Sequence, residues 1–235
     1  MSRIWCFLAV AVLASGETAA AQQVPDRAFR PPVVRPAYPD GQGPVVCVDH
    51  AHANFHTLDE RFRAFGELLR RDGYIVRPSR AKFDGSSLAP CRILVISNAQ
   101  PNEDAWDSYP YPTPSAFTAA EVDATRQWVR GGGNLLLIAD HMPLAGAAAS
   151  LAAAFGVTFT DGFAVDGFKG EAERDAAFAR PTMFRTADGT LQAHAIVRGR
   201  HAGESVTAIR TFTGQAFRAP AGAEPLLVLP GTFIP

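Results

Sequence analysis

The sequence predicts an α/β protein with a flavodoxin-like, doubly wound, mostly parallel sheet and a β-rich C-terminal extension. Continuous apolar runs of strand length recur over residues 44–160. Helical patterns with capping signals separate those runs, which is the alternation typical of a parallel sheet covered by helices. Beyond Gly162 the pattern changes to short alternating stretches and turn residues, which indicate antiparallel strands.

The N-terminus has the features of a secretory signal peptide. A short basic start at 1–3 precedes an apolar run at 4–14, and small residues follow at Ala19 and Ala21. An uncleaved membrane anchor is the alternative, but the apolar run is short for a bilayer span. We therefore expect removal of residues 1–21, export to the periplasm or the extracellular space, and no membrane span after cleavage.

A single domain is predicted over residues 44–235. The segment 22–43 contains five prolines before Pro44 and no helical or alternating pattern, so it is interpreted as an exposed, extended leader. The sequence stops at Pro235 just past an apolar strand, which leaves open whether the fold continues beyond it.

The first half of the domain begins with a strand over Val45–Asp49, an apolar run of the kind that parallel sheets bury on both faces. Residues 57–60 form a capping-box pattern that predicts the start of a helix, and Gly73 is suited to end it. A short strand is predicted at 74–76 and a stronger one at 92–97.

The second half begins with another capping box at 118–121, and the predicted helix ends at the glycines 131–133. A strand at 134–139, an Ala-rich helix at 144–155 and an extended stretch at 157–159 follow. In the extension, Asp188 and Gly189 predict a hairpin turn, and residues 205–212 and 226–229 alternate.

The charge balance excludes some classes of partner. Lys plus Arg number 22 and Asp plus Glu number 23, so the formal net charge is −1, and 19% of the residues are charged. This balance, without a basic run, argues against nucleic acid as a partner. The 47% of hydrophobic residues is enough for a sizeable core.

Signal cleavage removes Cys6 and leaves Cys47 and Cys91. Two thiols in an oxidising compartment can pair, but the pattern places these two in or beside different buried strands, where geometry can prevent a bond. We therefore expect free buried cysteines. Neither lies in a Gly-x-Cys-x-Gly setting, so a cysteine nucleophile is not expected.

Polar residues follow three predicted strands at their carboxyl ends, the edge where open parallel sheets bind ligands. If the three strands are neighbours, these residues meet. They are Asp49, His50, His52, Asn54 and His56 after the first strand, Asn98 and Gln100 after the third, and Asp140 and His141 after the fourth.

Three chemistries are open for this group. The imidazoles of His50, His52 and His56 are suited to a divalent metal such as zinc or iron. His141 is suited to acid–base chemistry if Asp140 or Asp49 orients it. In the structural alternative, the carboxylates cap helix amides and the histidines bind loop backbone. The connection 98–117 carries Trp106, Tyr109, Tyr111 and Phe117, which either stack on flat ligands or pack on the domain.

Four segments together resemble the class I glutamine amidotransferase-like superfamily, and within it the DUF4350-type and ThuA-like branches. They are residues 48–57, 131–141, 155–156 and 194–199, the last with Ala195 where those branches usually have proline. The resemblance implies a flavodoxin-like sheet and a site at the elbow after strand 134–139. True amidotransferases have a Gly-x-Cys-x-Gly nucleophile there, whereas Asp140 or His141 occupies this elbow. Glutamine hydrolysis through a thioester is therefore not expected.

Two functions remain open at this point. One is a hydrolase-like enzyme that acts on a polar small molecule or carbohydrate; the other is a non-catalytic envelope binding or assembly module. A carboxylate-paired imidazole in an open pocket favours the enzyme, and histidines turned toward backbone favour the module. The expected catalytic residues are Asp49, Asp140 and His141, and the ligand-binding residues are Asn54, Asn98 and, from the resemblance alone, His194.

Overall fold

The computed structural model describes residues 24–103, 110–168, 170–212, 214–231 and 233–234. The predicted signal peptide, and Trp106 and Tyr109 of the aromatic connection, lie outside the described residues. Among the described residues, none of the helices has the length and apolar character needed to cross a bilayer.

The elements up to the fourth strand follow the predicted order, with one short helix, α2, that is not predicted. They are β1 (Val45–Asp49), α1 (Arg63–Arg71), β2 (Ile75–Ser79), α2 (Gly85–Leu88), β3 (Ile93–Ser97), α3 (Ala119–Arg130) and β4 (Asn134–Ile138). The remaining elements are α4 (Leu144–Ala153), β5 (Thr158–Phe159), β6 (Val165–Asp166), α5 (Glu171–Ala179), β7 (Thr182–Arg185), α6 (Ala195–Arg198), β8 (Ala208–Thr211), β9 (Phe217–Arg218) and β10 (Phe233–Ile234).

The central sheet is parallel throughout, in the order β2-β1-β3-β4. The chain moves outward from β1 to β2 on one side and from β3 to β4 on the other, so the strand order reverses between β1 and β3. In open α/β sheets this reversal opens a crevice at the carboxyl ends of the two strands. The first, third and fourth strands are neighbours, which is the condition for their carboxyl-end residues to meet.

Helices cover both faces of the sheet because neighbouring residues of each strand point in opposite directions. On one face, Val46, Val48 and Val95 pack against apolar side chains of the β1–α1 connection and α1. On the other face, Cys47, Leu94 and Ile96 pack in a cluster that includes residues from the α2, α3 and α4 regions. The fold is therefore a mixed α/β arrangement compatible with double winding.

One predicted capping box is confirmed and the other is wrong. Thr118 and Glu121 cap α3 reciprocally, each side chain accepting from the other's backbone amide. At the first box, the carbonyl of Thr57 accepts from the amides of Glu60 and Phe62, so the chain makes a turn there before α1 begins at Arg63. Local propensity predicts a helix start, but the turn delays it.

The expectation of free cysteines is wrong, because Cys47 and Cys91 form a disulfide with a Cα–Cα distance of 5.6 Å. Cys47 lies within β1, while Cys91 lies in the connection that leads into the adjacent strand β3. Because Cys91 precedes the β-ladder rather than belonging to it, the ladder does not dictate where its side chain points. The two sulfurs can therefore meet beside neighbouring strands.

The C-terminal part contains short antiparallel strand pairs, as predicted, and β8 lies within the predicted stretch 205–212. The helices α5 and α6 lie among these strands, and neither is predicted. The chain does turn at Gly189, whose φ is +73°. The predicted hairpin is nevertheless wrong, because β7 pairs with the distant β8.

The leader contains neither helix nor strand over 24–43, and its last part is held against the turn that precedes β2. The amide of Tyr38 donates to the carbonyl of Asp72 at 3.2 Å, and the amide of Gly43 donates to the carbonyl of Gly73 at 2.8 Å. Gly73 has φ +92°, and an added Cβ would lie 2.2 Å from the Tyr38 carbonyl oxygen. Glycine is therefore required at this position both by the backbone conformation and by the close contact with the leader.

Candidate functional site

The connections after β1, β3 and β4 are joined by direct hydrogen bonds at the carboxyl edge of the sheet. The amide of Phe55 donates to the carbonyl of Asn98 at 3.0 Å, and the amide of Gln100 donates to the carbonyl of His52 at 2.9 Å. The amide of Asp140 donates to the Asn98 side chain at 3.0 Å. The three connections therefore meet at this edge.

Backbone strain is concentrated at the same edge. Ala53 and Asn98 are the non-glycine residues with positive φ, at +45° and +50°, in the described part of the chain. One follows β1 and the other follows β3, so they flank the reversal of strand order. Such conformations persist only where surrounding contacts impose them, and they are concentrated at functional sites.

A buried charged triad, Asp49–His52–Glu121, lies beneath this edge. His52 Nδ1 is 2.8 Å from Asp49 Oδ2, and His52 Nε2 is 2.8 Å from Glu121 Oε1. The ring of His52 lies between Phe83 and Phe117, each with a centroid distance of 4.6 Å. All three charged side chains are at least 95% buried.

Each ring nitrogen of His52 bonds to one of the two carboxyl groups, and each carboxyl group also accepts from other donors. Asp49 accepts from the amide of Ala51 and the side chain of Asn54, and Glu121 accepts from Thr118 and from the amide of Phe83. The ring therefore bridges Asp49 and Glu121. Since no solvent reaches it, the triad joins the β1 loop to the start of α3. The expectation that Asp49 orients His141 is wrong.

At Glu121, hydrogen bonds lower the pKa by more than burial raises it. Burial raises the pKa of this carboxyl, but hydrogen bonds from Thr118, His52 and Phe83 together lower the pKa to about 2. The charged form is thus stabilised by donors placed on three separate segments of the chain.

Stability is expected to fall as the pH drops from about 4.5 to about 2, because the pKa of Glu121 is about 2 in the fold against a usual value of 4.5. A carboxyl with a depressed pKa contributes stability that is complete above its unfolded value and is lost on protonation. This pKa difference corresponds to about 3 kcal/mol. Urea unfolding across this range tests the prediction, and Glu121→Gln should remove this part of the pH dependence. An unchanged slope in that variant would contradict it.

The three histidines predicted as metal ligands do not share a site. The Nε2 atom of His50 accepts from the amide of Leu58 at 2.9 Å, and both nitrogens of His52 belong to the triad. The Nδ1 atom of His56 lies 2.9 Å from the hydroxyl of Ser97. Over the described ranges, no group of three or more His, Cys, Asp or Glu residues is arranged for a metal ion. These residues do not fit the predicted metal.

Burial affects two of these imidazoles directly. Burial is the main reason that the pKa of His50 is lowered, and the charge of Arg80 lowers it further. The charges of Asp59 and Asp49 act in the opposite direction. Burial also lowers the pKa of His56, where Asp140 opposes the shift and Arg61 adds to it. Both rings are therefore neutral at ordinary pH, and each is held in place by a structural hydrogen bond.

Asn54 and Asn98, predicted to bind ligand, instead hold other residues of the edge. Asn54 accepts from the amide of His52 at 3.1 Å and donates to Asp49 at 3.0 Å. Asn98 donates from Nδ2 to Asp140 Oδ2 at 2.7 Å and accepts from the Asp140 amide at 3.0 Å. With both amides occupied, these residues position the carboxylates rather than face a ligand.

Asp140 and His141 each have one side-chain acceptor atom that forms no hydrogen bond with the described residues. Asp140 uses Oδ2 for Asn98, and no hydrogen bond to Oδ1 is present among the described residues. His141 donates from Nδ1 to the carbonyl of Met142 at 2.6 Å, which leaves Nε2 as an acceptor. The ring of His141 stacks on Phe163 at 4.3 Å. Both residues are partly exposed.

The elbow between β4 and α4 lacks the features of an acyl-transfer centre. A carboxylate from a later loop, Asp161, accepts from the amide of Gly146 in the first turn of α4 at 3.1 Å. An added Cβ at Gly146 would lie 2.3 Å from that carboxylate, so the glycine permits this approach. This amide is therefore not available to stabilise an oxyanion.

His194, a candidate through the resemblance alone, lies in a different environment. It caps α6 by accepting from the amide of Ile196, and its Nε2 is 3.1 Å from Glu224. No hydrogen bond, ion pair or ring contact joins it to the β1, β3 or β4 connections in the part of the chain that the structure describes. The structure does not bring His194 to the site.

Sequence reasoning missed Glu121, Arg61 and Phe163. Glu121 was recognised only as a helix cap, and nothing in its local pattern indicates a partner such as His52. Arg61 lies in a charged stretch with Asp59, Glu60 and Arg63, so its local sequence does not distinguish it from a surface arginine. Phe163 carries no local signal, because its stacking on His141 depends on tertiary structure.

Comparison with solved structures supports the fold class. The mmIFT52 N-terminal domain is similar, with a TM-score of 0.55 and 12% sequence identity over 81% of this chain and 75% of that chain. No protein-family model matches the sequence. No curated protein gives a significant match. At this identity the similarity concerns the fold alone.

Proposed function

We propose that this chain is an exported binding module of amidotransferase-like, flavodoxin-like fold, without glutaminase activity, that takes a polar small molecule or carbohydrate. The observation that carries the proposal is the pair of free acceptors at the carboxyl edge, Asp140 Oδ1 and His141 Nε2. Ligands bind at this edge in open parallel sheets, and the strand order 2-1-3-4 is that of the first four flavodoxin strands.

Two neighbouring acceptors favour a ligand that is rich in hydroxyl groups. A carboxylate oxygen and a neutral imidazole nitrogen both accept hydrogens, and sugar hydroxyls donate them. Asn98 holds the carboxylate and the Met142 carbonyl holds the ring, so little side-chain freedom is lost when a ligand binds.

Binding is favoured over hydrolysis by the partners of the histidines. Among the histidines that follow β1 and β4, His52 has carboxylate partners within 3 Å, and it is buried in the triad. The partly exposed His141 uses Nδ1 to donate to a backbone carbonyl, whereas a carboxylate accepts from that nitrogen in a catalytic triad.

Export is supported by the disulfide between Cys47 and Cys91. Structural disulfides form and persist in oxidising compartments and are rare in the reducing cytosol. The signal-peptide pattern of residues 1–21 leads to the same compartment.

A hydrolase is the second candidate, because the fixed Nδ1–H of His141 leaves a lone pair on Nε2. A neutral imidazole with this tautomer can act as a general base toward a water molecule. Release of nitrophenol from nitrophenyl glycosides by the wild-type protein, and its loss in His141→Ala, would favour this candidate over a pure binding module.

Titration with neutral monosaccharides, followed by calorimetry, is expected to show binding that requires both acceptors. Asp140→Asn and His141→Ala should each weaken binding about tenfold or more, equivalent to about 1.4 kcal/mol. His201→Ala is the matched control, because His201 contacts Glu204 in the C-terminal part. The absence of any sugar binding, or wild-type affinity in both site variants, would overturn the proposal.

A further inference from the structure

A cavity of about 460 Å³ opens at the amino edge of the central sheet, the end opposite to the proposed binding edge. Three strands begin beside it, because Val45 is the first residue of β1, Arg92 immediately precedes β3 and Gly133 immediately precedes β4. The other lining residues belong to the connection 89–91 and to the C-terminal end of α3, which contributes Trp128. The volume is within the range of small-molecule sites, so this cavity is large enough for a ligand of its own.

The walls of this cavity are mostly apolar, and contacts with β1 hold them in place. Val45 and Pro90 contribute aliphatic side chains, and Cys91 is bonded to Cys47 of β1. The amide of Arg92 donates to the carbonyl of Val45 at 2.9 Å. A ligand that enters between these walls therefore buries apolar surface without first having to order them.

The indole of Trp128 is also held in place, because Gly133 lies directly against it. An added Cβ at Gly133 would be 2.4 Å from the ring-fusion carbons Cδ2 and Cε2, so a larger residue would displace the ring. Trp128 also packs against the apolar cluster that contains Cys47 and Leu94. Its Nε1–H has no hydrogen-bond partner among the described residues, and it is not one of their buried unbonded atoms. Solvent therefore reaches this donor.

Arg92 brings a positive charge to the cavity, and most of its guanidinium is unbonded. The Nη1 atom donates to the carbonyl of Gly132 at 2.7 Å, which anchors one end of the group. Within the described ranges, Nε and Nη2 form no hydrogen bond and the group has no ion-pair partner. The side chain is exposed, so these two nitrogens can donate to a ligand.

Apolar walls with one cation and one neutral donor suit a carboxylate that carries an aromatic ring. A guanidinium binds a carboxylate through charge-assisted hydrogen bonds, and an indole N–H can donate to the same group. Aromatic rings bury a large apolar area and make favourable contacts with sulfur, which Cys91 supplies. A cationic ligand would lack a counter-charge here, since the described residues that line the cavity include no acidic one.

We propose that this cavity is a second binding site, for a small aromatic carboxylate whose charge is paired with Arg92. The ring of the ligand packs against Val45 and Pro90, and the indole N–H of Trp128 donates to the carboxylate. This site is separate from the proposed sugar-binding edge, because the two lie at opposite ends of the strands.

Calorimetric titration with indole-3-acetate and indole-3-acetamide tests the inference, because the two compounds have nearly the same shape and differ in charge. The wild-type protein should bind the acetate about tenfold more tightly than the acetamide. Arg92→Gln should remove this preference and leave binding of the acetamide unchanged. Arg92→Lys should keep part of it, since lysine retains the charge without the planar fork. Ala89→Phe should abolish binding of both compounds, because the larger side chain fills the cavity.

Arg130→Gln is the matched control, because it removes the same charge from an exposed position at the end of α3 that does not line the cavity. That variant should keep the wild-type preference, and thermal unfolding checks that Arg92→Gln and Ala89→Phe are folded. Binding of neither compound by the wild-type protein, or equal binding of both, overturns the inference. An unchanged preference in folded Arg92→Gln, or wild-type binding in folded Ala89→Phe, also overturns it. None of these outcomes concerns sugar binding at the opposite edge, so the proposed function is judged separately.

Discussion

Glu121→Ala is expected to lower the free energy of unfolding by about 3–5 kcal/mol, the usual effect of removing one partner from a buried charge cluster. The substitution removes the partner of His52 Nε2 and leaves that ring nitrogen unpaired in the interior. It also removes the acceptor for the amide of Phe83 and half of the α3 capping box. Urea unfolding at neutral pH measures the effect.

Asp123→Ala in the same helix is the matched control. Asp123 pairs with Arg126 at the surface, and exposed pairs of this kind contribute about 1 kcal/mol or less. A similar loss in both variants would contradict the view that the triad is an important element of the fold. Wild-type stability in Glu121→Ala would contradict it more directly.

The double variant Cys47→Ala/Cys91→Ala is expected to lose about 4 kcal/mol of unfolding free energy, from the chain entropy that a cross-link removes in the unfolded state. The two cysteines are separated by 44 residues, so reduction frees a long loop that includes α1 and β2. Thermal unfolding of the oxidised protein and of the double variant measures the difference.

Reductant provides the internal control for the disulfide. It should lower the melting temperature of the wild-type protein toward that of the double variant, and it should leave the double variant unchanged. Two free thiols in protein purified from an oxidising compartment would show that the bond does not form. That result would also remove the main structural support for export.

The strands β1, β3 and β4 could be predicted because they are largely apolar runs that need no distant partner to be recognised. The meeting of their connections depends on the strand order, which the sequence analysis could state only as a condition. The start of α1 could not be predicted in the same way. The pattern at Thr57 is a valid capping box, yet the backbone there makes a turn instead.

The detailed roles of the site residues depended on pairs that are distant in sequence. His52 and Glu121 are 69 residues apart, and Asn98 and Asp140 are 42 apart. No periodicity connects such residues, so a histidine that neutralises a buried carboxylate has the same local pattern as one that binds a metal. The cysteine pair was missed for the same reason, because the bond depends on the path of a connection outside the ladder.

The attachment of the leader has a practical consequence for presenting the domain on a surface. Tyr38 and Gly43 are held beside Gly73, at the end of the sheet where β1 and β2 begin. Asp140 and His141 lie at the opposite end, beyond the last residue of β4. A protein immobilised through its leader would therefore direct the proposed binding edge away from the support, and sensor-chip measurements should be designed with that orientation.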